Sequence, residues 1–172
     1  RTAEVLNAIN PDFIRLRTLL LVPDAPLYTE WGEGRFQKCT QVQIVEEIRR
    51  FIAQLEGVTS TMESDILVHV LSDLDGALPE ARARLLAKCD RFLALTPERK
   101  MVFQAGRRLS LLRVLDDLDD AECCSRIAAE CASRGITPEN VDERLDELIM
   151  AGRKQRRLTD GPPGSDSRKK DS

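Results

Sequence analysis

The sequence predicts a mostly α-helical fold with a short parallel β element near its beginning. Residues 13–21 form an almost wholly apolar run, and residues 58–62 form a second β-prone segment. A single amphipathic helix pattern separates the two segments, and helical spacing dominates after residue 65. Because strand, crossover helix and strand is the unit that builds a parallel sheet, we expect the two segments to pair in parallel.

The first half of the chain divides at its prolines. Asn10-Pro11 ends a first helix, because the residue before a proline avoids the α conformation. The run at residues 13–21 is typical of a strand that helices cover on both faces. Pro23 and Pro26 then predict an irregular connection, and Thr40 is suited to cap the next helix.

The second half is predicted as a series of helices. We expect a short apolar helix over residues 66–74, a helix opened by Pro79, and one that begins at Thr96-Pro97. Apolar spacing favours further helices over residues 109–118 and 124–131, and Thr137-Pro138 starts the last one. Residues 152–172 form a tail without a core-forming pattern, which predicts disorder.

Composition narrows the functional class. The net charge of −3 argues against general affinity for nucleic acid, and no apolar run approaches the roughly 20 residues of a membrane helix. Five cysteines, an odd number, argue against a disulfide scaffold and favour a cytoplasmic location. Because the chain starts at Arg1 within a helical pattern, we expect a truncation point there, although a processed terminus would give the same pattern.

Several polar groups are interpreted as structural. His69 lacks the partners of a catalytic triad, and the aspartates within residues 116–120 lack the spacing of a calcium loop. Cys124 and Cys131 lie two helical turns apart, about 10 Å along the axis, which is too far for two ligands of one zinc ion. We expect small buried thiols instead. The sequence therefore offers no metal ligands and no catalytic residues.

Arg15 and Arg17 carry the most specific physical signal. Alternation along a strand places both side chains on one face, where burial is costly unless they meet acids or an anionic ligand. Two interpretations stay open. The arginines either contact a carboxylate or phosphate near the open end of a barrel, or form an ion pair with an acid on a neighbouring strand outside this chain.

Four segments of the chain resemble a known family. They are Ile9-Asn-Pro-Asp-Phe-Ile-Arg-Leu-Arg17, Pro23-Asp-Ala-Pro-Leu-Tyr28, Thr59-Ser-Thr-Met-Glu-Ser-Asp65 and residues 78–93. Together they resemble the C-terminal portion of bacterial radical S-adenosylmethionine (radical SAM) proteins, a group that includes the oxygen-independent coproporphyrinogen oxidase-like enzymes. The resemblance covers the chain to about Leu118, and Asp24 stands where the family often has glycine.

The resemblance implies a fold and a parent enzyme. Residues 1–64 would be the last strands of a partial (β/α) barrel, and residues 65–151 a helical C-terminal extension. The parent would use a [4Fe-4S] cluster, bound by Cys-x-x-x-Cys-x-x-Cys, to cleave S-adenosylmethionine to a 5′-deoxyadenosyl radical. This chain contains no such triplet, so we expect the isolated chain to be inactive. Its implied partner is the missing N-terminal portion of the barrel.

The resemblance also indicates candidate site residues, although it does not specify the substrate. The segment between Arg17 and Tyr28 would lie at the catalytic face of the barrel, and Arg15, Arg17 and Tyr28 are the cofactor- or substrate-side candidates. The alternative is a non-enzymatic helical module that binds a protein partner or regulates it. An enzyme remnant should expose an unpaired strand edge at residues 13–19 and be poorly soluble alone, whereas a module should lack that edge.

Overall fold

The computed structural model describes residues 1–17, 19, 21–23, 25–64 and 70–148. Over this range the protein is mostly helical and has one small mixed sheet. Its elements are α1 (Thr2–Ile9), β1 (Phe13–Leu16), α2 (Pro26–Gly32), α3 (Gln41–Ala53), β2 (Thr61–Ser64), β3 (Gly76–Ala77), α4 (Arg82–Leu93), α5 (Pro97–Arg108), a 3-10 helix at Leu115–Asp119, α6 (Ala121–Ser133) and α7, described over residues 141–148.

The sheet has the strand order β1-β2-β3. Strands β1 and β2 are parallel, from Phe13 beside Thr61 to Leu16 beside Ser64, which confirms the predicted parallel pair. Strand β3 is antiparallel to β2 and was not predicted. Its two residues, glycine and alanine, carry no β pattern, so the expectation that everything after residue 65 is helical was wrong.

Strand β1 is shorter and less buried than the sequence predicts. It ends at Leu16 rather than at residue 21, and it lies at the edge of the described sheet. Ile14 is buried in the core, but Phe13 is 58% exposed. The prediction of a strand covered on both faces was therefore wrong, because the described helices cover only the face that carries Ile14.

The helix starts follow the capping pattern of the sequence. The hydroxyl of Thr40 accepts a hydrogen bond from the backbone N–H of Gln43, and the Gln43 side chain accepts one from the Thr40 N–H at 2.9 Å. Thr96 caps α5 by accepting from the N–H of Arg99. Each cap satisfies backbone donors that the first helical turn leaves free, and both predicted starts are confirmed.

Two predicted helices differ in the structure. Residues 70–74 are not helical, and residues 65–69, with His69, lie outside the described range, as does the tail from residue 149. The helix predicted over residues 109–118 is reduced to a 3-10 helix that begins at Leu115. Ser110, which follows the end of α5, has a φ of 59°, outside the right-handed helical region. A continuous helix therefore cannot form over residues 109–118.

One continuous hydrophobic core joins the two halves of the described chain. It includes Ile14 and Val45 from the first half and Leu85, Phe92 and Phe103 from the second. Helix α3 packs mainly against α4, and α5 against α6. The domain boundary expected near residue 64 stays a prediction, although side chains from both sides of residue 64 pack together in this core.

Candidate functional site

Arg15, the first of the three predicted site residues, lies on the exposed face of the sheet. Its Nε donates a hydrogen bond of 2.8 Å to a carboxylate oxygen of Glu63, the residue directly beside it on β2. The ion-pair interpretation expected an acid from outside this chain, but the acid belongs to the chain itself. Because both side chains are more than a third exposed, the pair contributes little to stability.

Arg17 and Tyr28 lie beyond the carboxyl end of β1. Arg17 is exposed, and Tyr28 is partly buried on α2. The Tyr28 ring packs against Trp31, one helical turn further on, with 5.6 Å between ring centroids and an angle of 55° between the planes. The three candidates are therefore separated: one is ion-paired on the sheet, one is exposed after it, and one belongs to an aromatic pair.

Tyr28 and Trp31 line a cavity of about 470 Å³, a volume typical of small-molecule sites. The cavity lies between α2, the segment that leads into α3, and one face of α7. Neither Arg15 nor Arg17 lines it. The described lining residues are Leu21, Tyr28, Trp31, Lys38, Cys39, Thr40, Asp142, Glu143, Asp146 and Glu147.

The cavity is acidic, with four carboxylates on α7 and one lysine opposite them. Lys38 forms an ion pair with Asp146, and the backbone N–H of Gln41 donates to Asp142 at 2.6 Å. Burial raises the pKa of Asp142, against the Gln41 hydrogen bond that lowers it; nearby Asp146 raises it further and Lys38 lowers it. The Asp142 carboxylate thus lies in a partly buried position beside a like charge.

The chain's topology places this cavity on the side of the sheet where the parallel strand β1 ends. Helix α3 runs between the parallel strands β1 and β2, so its beginning lies on the side where β1 ends. Thr40, the cap of α3, lines the cavity. In open sheets of parallel strands, ligands bind outside the carboxyl ends of the strands, which is the side on which Tyr28 was expected to act.

Sequence reasoning missed Glu63, Trp31 and the acidic face of α7. The acids at positions 142, 143, 146 and 147 repeat at helical spacing, so a shared face was detectable in the sequence. What the sequence did not indicate is the segment that this face meets. That depends on tertiary contacts such as the ion pair between Lys38 and Asp146, which are 108 residues apart.

A second notable surface is formed by α1 and β1. Val5, Ile9 and Phe13 are each more than half exposed, and together we call them the N-terminal apolar surface. Helix α1 is nevertheless held in place. Asn7 bonds the backbone of Gln54 and Glu56, and the side-chain oxygen of Asn10 accepts from the Thr59 N–H at 2.9 Å.

Strand β1, which carries Phe13, has an outer edge as well. The N–H of Thr61 donates to the carbonyl of Asp12 at 2.8 Å, so Asp12 and Ile14 direct their backbone groups toward β2. Backbone groups alternate along a parallel strand, so those of Phe13 and Arg15 face the opposite edge. Within the described chain no strand pairs with that edge.

The cysteines do not form a metal centre in the part of the chain that the structure describes. No group of three or more His, Cys, Asp or Glu side chains is placed there to hold a metal ion. Burial raises the pKa of Cys89 to about 11 and also raises the pKa values of Cys124 and Cys131, which favours neutral thiols.

Among the described helices, none has the length and apolar character needed to cross a membrane. Comparison with known proteins finds no matching family model, no similar curated protein and no similar solved structure.

Proposed function

We propose that this chain is the C-terminal part of a radical SAM enzyme. The intact enzyme would use a [4Fe-4S] cluster and S-adenosylmethionine to generate a 5′-deoxyadenosyl radical in the cytoplasm. Because this chain contains no Cys-x-x-x-Cys-x-x-Cys triplet, the cluster ligands would come from the missing N-terminal portion of the barrel. The resemblance of residues 9–17, 23–28, 59–65 and 78–93 is the basis of this proposal.

The observation that carries the proposal is the unpaired outer edge of β1 together with the exposed Phe13. A strand of a parallel barrel needs a neighbour on each side, and an edge strand with apolar side chains is a liability in an isolated domain. Further barrel strands beside β1 would pair this edge and cover Phe13. The N-terminal apolar surface supports the same arrangement.

Within the proposed enzyme, the described residues would have different roles. The ion pair between Arg15 and Glu63 would hold adjacent strands in register on the barrel's inner face. Arg17 would lie at the carboxyl end of β1, where an anionic group of a cofactor or substrate could accept its hydrogen bonds. Tyr28 would line the neighbouring cavity.

The alternative is a non-enzymatic helical module that binds a protein partner. A module of this kind should have no unpaired edge at residues 13–19. The edge position of β1 therefore favours the enzyme over the module. No described feature specifically favours the module.

The proposal is tested by substitution of Phe13 in the protein encoded by the complete reading frame. Phe13→Asp should disrupt the docking of the barrel strands and lower 5′-deoxyadenosine formation at least tenfold, because it would bury a carboxylate against an apolar surface. Leu111→Asp is the matched control, since Leu111 is 49% exposed and far along the chain from β1. It should retain activity.

Two results would contradict the proposal. The first is an intact protein that, reduced and supplied with iron, sulfide and S-adenosylmethionine, releases no 5′-deoxyadenosine. The second is equal activity of the Phe13→Asp and unsubstituted proteins. Thermal melting of each variant separates loss of docking from loss of folding, because Phe13 is too exposed to support the described core.

A further inference from the structure

The cavity between α2 and α7 combines three properties that together select a ligand. It has a small-molecule volume of about 470 Å³, an aromatic wall and an acidic wall. The aromatic wall is the pair of Tyr28 and Trp31, and the acidic wall is the face of α7 that carries Asp142 and Glu143. An aromatic face and a carboxylate each attract a cation, and the aromatic face also packs against hydrocarbon.

The structure itself holds an alkylammonium group in this cavity. The side chain of Lys38 is only 17% exposed, and its ammonium is paired with Asp146. One carboxylate of the acidic wall is thereby neutralised, and a second, Glu147, is paired with Arg144 at 3.0 Å. The pair of Lys38 and Asp146 shows that a carboxylate on this face of α7 accepts an alkylammonium group as its partner.

Among the described residues, no ion pair involves Asp142 or Glu143. Asp142 accepts a hydrogen bond from the neutral backbone N–H of Gln41, and Glu143 is exposed. Burial first, and then nearby Asp146, raises the pKa of Asp142, because both disfavour the charged form of its carboxyl group. A cation close to Asp142 and Glu143 would stabilise that charged form.

A metal ion is a poorer fit than an organic cation. Divalent ions need several oxygen ligands in close geometry, and no such group is present among the residues the structure describes. The aromatic pair would also contribute nothing to a hydrated metal ion's first coordination sphere. A primary amine, by contrast, uses the carboxylates through its N–H donors and the rings through its hydrocarbon chain.

We propose that this cavity binds a small aliphatic primary amine, with its ammonium between Asp142 and Glu143 and its hydrocarbon chain against Tyr28 and Trp31. The inference goes beyond the proposed enzymatic function and does not depend on it. The site needs no cluster and no barrel strand, so amine binding and radical chemistry can succeed or fail separately.

The chain supplies its own probe for the test. Trp31 is its only tryptophan, so intrinsic tryptophan fluorescence of the full chain reports directly on the cavity. Titration with 1,4-diaminobutane should give a saturable change in Trp31 emission. 1,4-Butanediol, which has the same carbon chain and no charge, should give none, and tetramethylammonium, which has no N–H donor, should bind at least tenfold more weakly.

Substitutions then test the acidic wall. Asp142→Asn and Glu143→Gln should each weaken diamine binding at least tenfold, whereas Glu46→Gln, an exposed neutralisation on α3 outside the cavity lining, should leave it unchanged. Asp142 also accepts the Gln41 N–H, so its substitution can weaken binding by disturbing the fold. Within the described part of the chain Glu143 makes no such bond, so its variant tests the binding site alone. The proposal is overturned by the absence of a saturable change, by equal binding of either control ligand, or by full affinity in Glu143→Gln.

Discussion

Gly106 shows how one residue can decide the packing of a helix. It lies inside α5, where alanine ordinarily favours a helix by about 1 kcal/mol over glycine. A β-carbon here would lie 2.6 Å from Leu112 and 2.9 Å from Ile127, closer than real contacts allow. The glycine therefore permits α5 to pack closely against the chain that follows it.

We predict that Gly106→Ala destabilises the protein although it improves helix propensity. Overpacking costs about 1–3 kcal/mol, which exceeds the gain in propensity. Urea denaturation should show a lower free energy of unfolding. Gly32→Ala is the control, because no atom lies within 4 Å of the added carbon, and its stability should be unchanged or raised. A more stable Gly106→Ala variant would contradict the described packing.

Asp117 makes the stability of a local turn depend on pH. Its carboxylate accepts hydrogen bonds from the backbone N–H groups of Arg113, at 2.5 Å, and Val114, at 3.0 Å. These bonds, that of Val114 first, lower the pKa of Asp117 below its usual value of 3.8. A lowered pKa in the folded state stabilises the protein above the unfolded pKa, and that contribution is lost as the pH falls through the folded pKa.

We expect Asp117→Asn to flatten this acid dependence. The amide oxygen can still accept a hydrogen bond but does not titrate, so the free energy of unfolding should fall less steeply below about pH 4 than in the unsubstituted chain. Denaturant titrations at a series of pH values measure the slope. Asp119→Asn, a change at a nearby exposed carboxylate, should alter the slope less. Equal slopes for both variants would refute this explanation.

At the scale of elements, edge strand β1 is the most consequential feature. The expected poor solubility of the isolated chain follows from its unpaired backbone groups and from Phe13. We predict that Phe13→Lys reduces concentration-dependent self-association, because a lysine on an edge strand opposes strand addition. Sedimentation velocity measures the change. The melting temperature should be nearly unchanged, since Phe13 lies outside the core.

A matched substitution gives this prediction its control. Leu111→Lys replaces another exposed apolar side chain and should leave self-association as it was. If both variants reduce association equally, general surface hydrophobicity rather than the β1 edge is responsible.

Elements formed by residues close together in the sequence were predicted more accurately than elements that depend on residues far apart. Thr40 and Thr96 could be identified as caps because a cap acts within one helical turn. The parallel pairing followed from the strand–helix–strand order. Strand β3 could not be predicted, because a Gly-Ala pair becomes a strand only through its bonds to β2.

The candidate site was predicted less completely than the fold. Tyr28 was identified only from the resemblance, and its partner Trp31 and the facing acids were missed. The missing information is tertiary, since Lys38, in the segment that leads into α3, meets Asp146 on α7 only in the folded chain. The exposure of Arg15 and its partner Glu63 likewise depend on what covers the sheet.

At the scale of the whole molecule, one core unites the described residues, and within them the outer edge of β1 has no partner strand. The core is continuous from Ile14 through Phe92 to Leu145, so the described residues form one folded unit. The unpaired edge of β1 and the N-terminal apolar surface are the reasons for proposing further strands beside β1. The central claim is therefore that a barrel portion with cluster-binding cysteines precedes this unit.

The most direct test of that claim is to sequence the reading frame upstream of the codon for Arg1. We predict a series of strand and helix patterns that contains Cys-x-x-x-Cys-x-x-Cys, the triplet needed to hold the [4Fe-4S] cluster. An in-frame start codon immediately before Arg1, with no such motif upstream, would contradict the claim and leave the helical binding module as the explanation.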